Sequence, residues 1–419
     1  MRSKLPVIVL FLLLCFSCTK EKENRNLTNY SGQVSIDIPS QTFDVNLQIA
    51  YTPHYSTPTD SLQFFIHENA RIKKCEASGL LKFEENPGPN KVKTLTLYFK
   101  NELNTPLDIK LEYSSQLKAE DAPWGIDKIS ENWVELSVNS AWLPVLSSFD
   151  LYFTADMEVD LKTEKELELI SSGSSKKTAK NKFEIHNTVP QIDLVLIGSH
   201  SFYRNDQENT TIYDHKKDNG RAAFMSDISK KSHQWLNRNF GSSKELPEVK
   251  LAIAPRNESG YARKNFIVLS NSISVNDTLH FVNFITHEFA HFWSSGANPQ
   301  TAHRWLDESV AEYIAFKYIQ KEYNADAFST FLSRIEKEAP QLPPVYKPEI
   351  TGPPPHAVMY RKGVGKLHHL EKMIGEKALF AFLNKWFTYE KKDTETFLNL
   401  LGELQGEDVA KNFRAELGK

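Results

Sequence analysis

The sequence predicts an α+β chain, an N-terminal antiparallel β-sheet domain followed by a mainly α domain, and three observations lead there. Residues from about Gly32 to His200 alternate apolar and polar side chains with period two. After about Ile212 the period becomes helical. At 419 residues, 40% hydrophobic and 25% charged, the chain is globular and too long for one ordinary core.

At the N-terminus, Arg2 and Lys4 precede an apolar run, Leu5 to Phe16, too short to span a bilayer comfortably. It reads as a signal peptide over residues 1–17. Cys18, directly after Cys15-Phe16-Ser17, resembles the cysteine of a bacterial lipoprotein box, although such boxes usually carry Leu where Cys15 stands and a small residue at Phe16. Lipidation of Cys18 would make the mature protein an extracytoplasmic, membrane-anchored lipoprotein on a polar tether, residues 18–30, with plain secretion as the alternative. Cys75 is then the one remaining cysteine, which excludes an intramolecular disulfide and reads as a packed small hydrophobe. A net charge of −3 supplies no field for nucleic acid, which is excluded as a partner. Nothing in the sequence bears on oligomeric state.

The β-rich domain is expected over residues 31–215. Val34–Ile38, Val45–Ile49, Leu95–Phe99 and Leu107–Leu111 alternate as half-buried antiparallel strands, with turns at Asn86-Pro-Gly-Pro-Asn90 and in the Ser/Lys-rich stretch Ser171–Lys182. The second domain, 216–419, opens with a helix over Ala222–Phe240 and strands at Val249–Ile253 and Phe266–Leu269. Helical patterns follow at Leu279–Ser294, Trp305–Tyr323, Val364–Glu390 and Thr394 to the end.

Residues 287–291 read His-Glu-Phe-Ala-His. On a helix, His287 and His291 lie on one face about 6 Å apart, converging on one ion, and Glu288 sits one step round, where a general base belongs. The string alone arises by chance in roughly one chain in twenty of this composition. Its setting is what sharpens it: Phe281, Ile285, Phe289, Phe292 and Trp293 make the helix strongly apolar, and two His and a Glu buried there need partners. A catalytic zinc takes a third protein ligand. Glu308, separated from His291 by sixteen residues, in Trp305-Leu-Asp-Glu-Ser-Val-Ala-Glu-Tyr313, is one candidate, on a second helix antiparallel to the first; His303 is the competing one. Glu312 and Asp307 are candidates for hydrogen bonds to the histidines, or else belong to a solvated helix face.

These residues resemble the aminopeptidase N family of zinc metallopeptidases, gluzincins with H-E-x-x-H followed by W-L-N-E-G-x-A-E-Y; Asp307 and Ser309 replace the family's Asn and Gly. The resemblance implies a thermolysin-like catalytic domain, one zinc ion on His287, His291 and Glu308, Glu288 as base, and peptide or protein substrates. Tyr360-Arg-Lys-Gly363 is similar to the family's Y-x-K-G, which implies that Tyr360 donates to the oxyanion, a contribution of about 10²–10³ in rate. The family's large C-terminal helical domain has no counterpart in the pattern, so a cleft more open on one side is expected.

One motif departs from the family. Where its glutamate binds the substrate's α-amine, within G-x-M-E-N, the chain reads Gly260-Tyr-Ala-Arg-Lys-Asn265, with Lys264 at the glutamate's position. Gly260, Arg263 and Lys264 are therefore candidate substrate-binding residues, the two cations suited to a carboxylate; the alternative is that both point to solvent. An endo- or oligopeptidase is expected rather than an ordinary aminopeptidase. The alternatives are an aminopeptidase that recognises the amine through Glu258, or a catalytically silent peptide-binding lipoprotein.

Overall fold

The computed structural model describes residues 27–53, 59–89, 91–118, 126–149, 151–217, 219–256, 260–271 and 278–419. The leader with Cys18, and Glu258, lie outside the described residues. No helix among the described residues is long and apolar enough to cross a membrane.

Strands form in the N-terminal half where apolar residues alternate. In Thr42–Tyr51 the side chains of Phe43, Val45, Leu47, Ile49 and Tyr51 are buried between exposed or half-buried neighbours. This strand lies within a seven-stranded sheet of order 174–179, 182–191, 153–162, 28–37, 42–51, 107–116, 71–77. The expectation of antiparallel strands needs one correction: Thr28–Asp37 runs parallel to Phe153–Lys162, with Val34 opposite Val159. Most of the N-terminal half separates those two segments, which is ample chain for the crossover a parallel pair requires. Two four-stranded sheets complete this half, and one continuous core joins Tyr30, Phe43, Leu47, Phe64, Leu97 and Trp142. The stretch Ser171–Lys182 contains more than a turn, because Ser174–Ala179 pairs with Lys182–Gln191 as an edge strand.

The five-stranded sheet of the C-terminal half starts with Tyr203–Gln207 and Thr210–Asp214, ahead of position 216, and continues through Val249–Ala254, Phe266–Ser270 and the edge strand Tyr261–Arg263. Its three central strands are parallel and buried on both faces, which explains the unbroken apolar run Phe266–Leu269. Eight α-helices follow or flank it among the described residues: α1 (Asn219–Phe240), α2 (Thr278–Ser294), α3 (Trp305–Glu322), α4 (Ala325–Glu338), α5 (Gly363–Ile374), α6 (Glu376–Trp386), α7 (Thr394–Gln405) and α8 (Glu407–Leu417). The long helix read over Val364–Glu390 is two helices, broken where Gly375 takes φ 86°, and the C-terminal pattern breaks likewise at Gly406, φ 99°. α4 was given no element from the sequence; Asn324 caps it by accepting from the N–H of Asp326 and Ala327.

The two halves meet across a small apolar cluster in which Trp133, Val195 and Ile197 pack with Ala252, Ala254, Phe266 and Val268. Beside it Arg256 pairs with Glu135 at 2.5 Å, both side chains less than 10% exposed, and Glu135 also accepts from Trp133 and Tyr261. A buried ion pair of this kind tolerates its desolvation only because its remaining lone pairs are occupied.

Candidate metal centre and active site

α2 is apolar nearly all round because it is buried by neighbours on most sides: Phe281, Val282, Ile285, Phe289, Ala290 and Trp293 are each at most 3% exposed. Against that background His287 and Glu288 are also buried, at 4% and 7%. The i, i+4 spacing brings the imidazoles of His287 and His291 to 4.6 Å between centroids, edge to face. α3 lies antiparallel to α2: Asn283 near one end of α2 meets Glu312, while Ser294 at the other meets Asp307.

This pairing brings Glu308 to the histidines. Its Oε2 lies 3.6 Å from Nε2 of His287 and 3.6 Å from Nε2 of His291, and the ligand atoms of all three residues fall within 4.8 Å of one another. A tetrahedral ion with bonds of 2.0–2.1 Å needs ligand atoms about 3.4 Å apart, so the donor set fits zinc in number, type and spacing. His303, the competing ligand from the sequence, is directed elsewhere: its Nδ1 accepts from the Thr394 N–H at 3.2 Å, and its ring packs against Tyr346.

The electrostatics follow from burial and proximity. Burial alone would depress His287, but hydrogen bonds to Glu308 and Glu312 and the charges of Glu312 and Glu288 lift it to about 10. Burial, then the neighbouring His287 charge, pushes His291 down to about 4. For Glu308 burial is outweighed by His287, His291 and the Tyr360 hydroxyl, which hold its carboxyl well below the usual range. Glu288 is pushed up to about 7, chiefly by burial, which suits a group that must both take and return a proton near neutrality.

Of the two carboxylates read as partners of the histidines, one reaches. Glu312 Oε2 is 2.9 Å from Nδ1 of His287, and the other carboxylate oxygen, Oε1, accepts from Asn283 at 3.0 Å. This leaves Nε2 of His287 toward the cluster. Asp307 instead turns its carboxylate to the backbone N–H groups of Gly296 and Ala297, closing the loop after α2. The group beside Nδ1 of His291 is Ser294 at 3.4 Å, its hydroxyl donating to the Asp307 carbonyl. Its position three residues after His291 was the available signal. Arg304, also unassigned from sequence, reaches Oε1 of Glu308 at 3.3 Å.

Tyr360 stands in a π-helical turn, Val358–Lys362, that runs into α5; such turns recur at functional sites. Its hydroxyl donates to Oε2 of Glu308 at 2.5 Å and its ring stacks on His287. The turn packs on α3 through Ser309, whose hydroxyl donates to the Met359 carbonyl at 2.6 Å. A Cβ on Gly363 would lie 2.1 Å from Ser309 Oγ and 2.8 Å from its Cβ. Gly363→Ala should therefore cost about 1–3 kcal/mol and lower the melting temperature, and adding Ser309→Gly should recover part of that loss. Equal melting temperatures for Gly363→Ala and the parent would disprove this packing argument.

The substrate-binding candidates lie on or beside the edge strand Tyr261–Arg263. Gly260 lets the strand approach α2, where an added Cβ would fall 2.6 Å from the ring of Phe284. Arg263 donates to Asp193 at 2.7 Å and lies over the Tyr261 ring, yet its charge still acts on Glu288 and His291. Lys264, at φ 55°, donates to the Pro190 carbonyl, and burial pushes its ammonium down to about 8.

Residues 256–415 match the peptidase family M1 domain. The fold is similar to that of the M1 zinc metallopeptidase from Deinococcus radiodurans, with TM-score 0.67, 15% identity, and 93% of each chain covered. It is also similar to native leukotriene A4 hydrolase from Saccharomyces cerevisiae, with TM-score 0.70 and 14% identity over 92% of this chain and 66% of that one. A two-domain M1 zinc metallopeptidase bound to L-arginine aligns with TM-score 0.67 and 15% identity over 94% of each chain. No curated protein sequence matches the chain. The M1 domain match spans the histidine pair, Glu308 and Tyr360, so residues 256–415 carry the features of a peptidase family M1 domain, and the chain is a zinc hydrolase acting on peptides.

Proposed function

We propose that the enzyme acts as an endo- or oligopeptidase rather than an ordinary aminopeptidase, with one zinc ion on His287, His291 and Glu308. The observation that carries this is the state of the charges along the edge strand. Asp193 is paired with Arg263 and Glu135 with Arg256, so these carboxylates are already occupied when a substrate ammonium arrives. That ammonium would face the guanidinium of Arg263, whereas an acetylated terminus or an internal peptide bond would not. Arg263 rather than Lys264 is the cation expected to meet a substrate carboxylate, since its charge acts on Glu288 and His291, and it would have to share its guanidinium with Asp193.

When bound, zinc would acidify a water and polarise the scissile carbonyl. Glu288 takes the proton from the attacking water and returns it to the leaving amine. Tyr360 exchanges its bond to Glu308 for one to the developing oxyanion. Glu312 and Asn283 keep the His287 ring from turning.

The amine reading is tested with a matched series of free and Nα-acetylated peptides, cleavage positions being read by mass spectrometry. Internal cuts at comparable rates in both series are expected; processing confined to free amines would overturn it. An aminopeptidase reading is favoured by the fold relative that binds L-arginine, a ligand with a free α-amine. It would require a carboxylate such as Glu258, and Glu258→Ala would then abolish activity on free-amine substrates alone.

Cys18 as a diacylated, extracytoplasmic membrane anchor, periplasmic or at the cell surface, with plain secretion as the alternative, is part of the same proposal and rests on the N-terminal sequence. Cys18→Ala should release the protein into the soluble fraction.

A further inference from the structure

Tyr360 is only half-buried, and among the described residues its hydroxyl bonds only to Glu308, the partner it must leave to act on a substrate. Something else must hold the phenol over the cluster. Its ring lies 5.4 Å from His287 at 21° and 4.1 Å from His356 at 12°. Both rings are near-parallel to the phenol, and His356 is the nearer of the two.

We propose that His356 is a positioning residue for Tyr360, a stacked ring that holds the phenol in place beside the metal cluster. The backbone prepares His356 for this. It follows Pro353-Pro354-Pro355, whose rings fix three successive φ angles, and the Pro355 carbonyl accepts from both Val358 and Met359 at 2.9 and 3.1 Å. His356 is thereby set at the start of the turn, and its ring falls on that of Tyr360 four residues on. His356 is exposed, and no side-chain hydrogen bond ties it to the fold among the described residues, so the stacking contact is what its ring contributes. A flat aromatic ring is the property used, not a proton, and phenylalanine should serve as well.

The inference rests on the reading that Tyr360 acts on the substrate, and the test separates the two. His356→Ala should lower kcat by about 2- to 10-fold with KM little changed, the scale of one aromatic stacking contact. His356→Phe should restore the rate, and His356→Ala should have no further effect in a Tyr360→Phe background. Zinc stoichiometry and melting temperature, measured in parallel, should stay at parental values. A parental rate for Tyr360→Phe would sink the reading of Tyr360 itself. If Tyr360→Phe is impaired, the proposal for His356 is overturned by any of three results: an unchanged His356→Ala rate, a loss that persists in the double variant or is not rescued by Phe, or a fall in zinc content or melting temperature.

Discussion

Replacing Glu288 by Gln should lower kcat by about 10²–10⁴-fold while zinc content stays at one ion per chain. The amide matches the carboxylate in size, so the pocket on α2 is not reshaped, but it cannot accept a proton from water. Zinc retention follows from geometry. The atoms that converge belong to His287, His291 and Glu308, and Glu288 is outside that group although it shares the helix. Burial that raises its pKa to about 7 also suits Glu288 to carry a proton near neutrality. The measurement is hydrolysis of a mixed peptide library by both proteins, with metal assayed in parallel. Loss of zinc along with activity would mean that Glu288 is structural, and zinc without cleavage in the parent would leave a peptide-binding protein.

Why Glu288 and its neighbours could be read from the chain while other features could not is a matter of range. The helix pair is encoded locally. Two His at i, i+4 on an apolar helix share a face whatever surrounds them, and Trp305 to Tyr313 carries the carboxylate on the next helix. The pairing of Arg263 with Asp193 spans 70 residues and has no local sign, so both cations of the edge strand looked equally available. The edge strand Ser174–Ala179 has no apolar face to give a period-two signal and is held by its backbone ladder. α4 did carry a signal, since Phe328, Phe331, Leu332 and Ile335 are apolar at helical spacing after the Asn324 cap. The π-turn at Val358–Lys362 is the costliest omission, because apolar periodicity does not distinguish one extra residue per turn, and this one aims Tyr360.

Tyr360→Phe should lower kcat by about 10²–10³-fold, the loss of one oxyanion donor, with zinc bound and KM changed little. Burial, then the Glu308 charge and hydrogen bond, holds the phenol pKa far above its ordinary value, so the proton stays on oxygen through the working pH range and the group acts as a neutral donor. Its bond to Glu308 shows that the hydroxyl reaches the cluster, within the span of a substrate carbonyl bound there. Ring packing against His287 survives the substitution, so the variant removes the donor and little else. A kcat loss with unaltered KM marks an interaction made only in the transition state. If KM rose instead with kcat intact, the hydroxyl would be binding the ground-state carbonyl. If zinc affinity fell, its place would be beside Glu308 as a support for the metal, and the oxyanion would have to be held by another donor of the cleft.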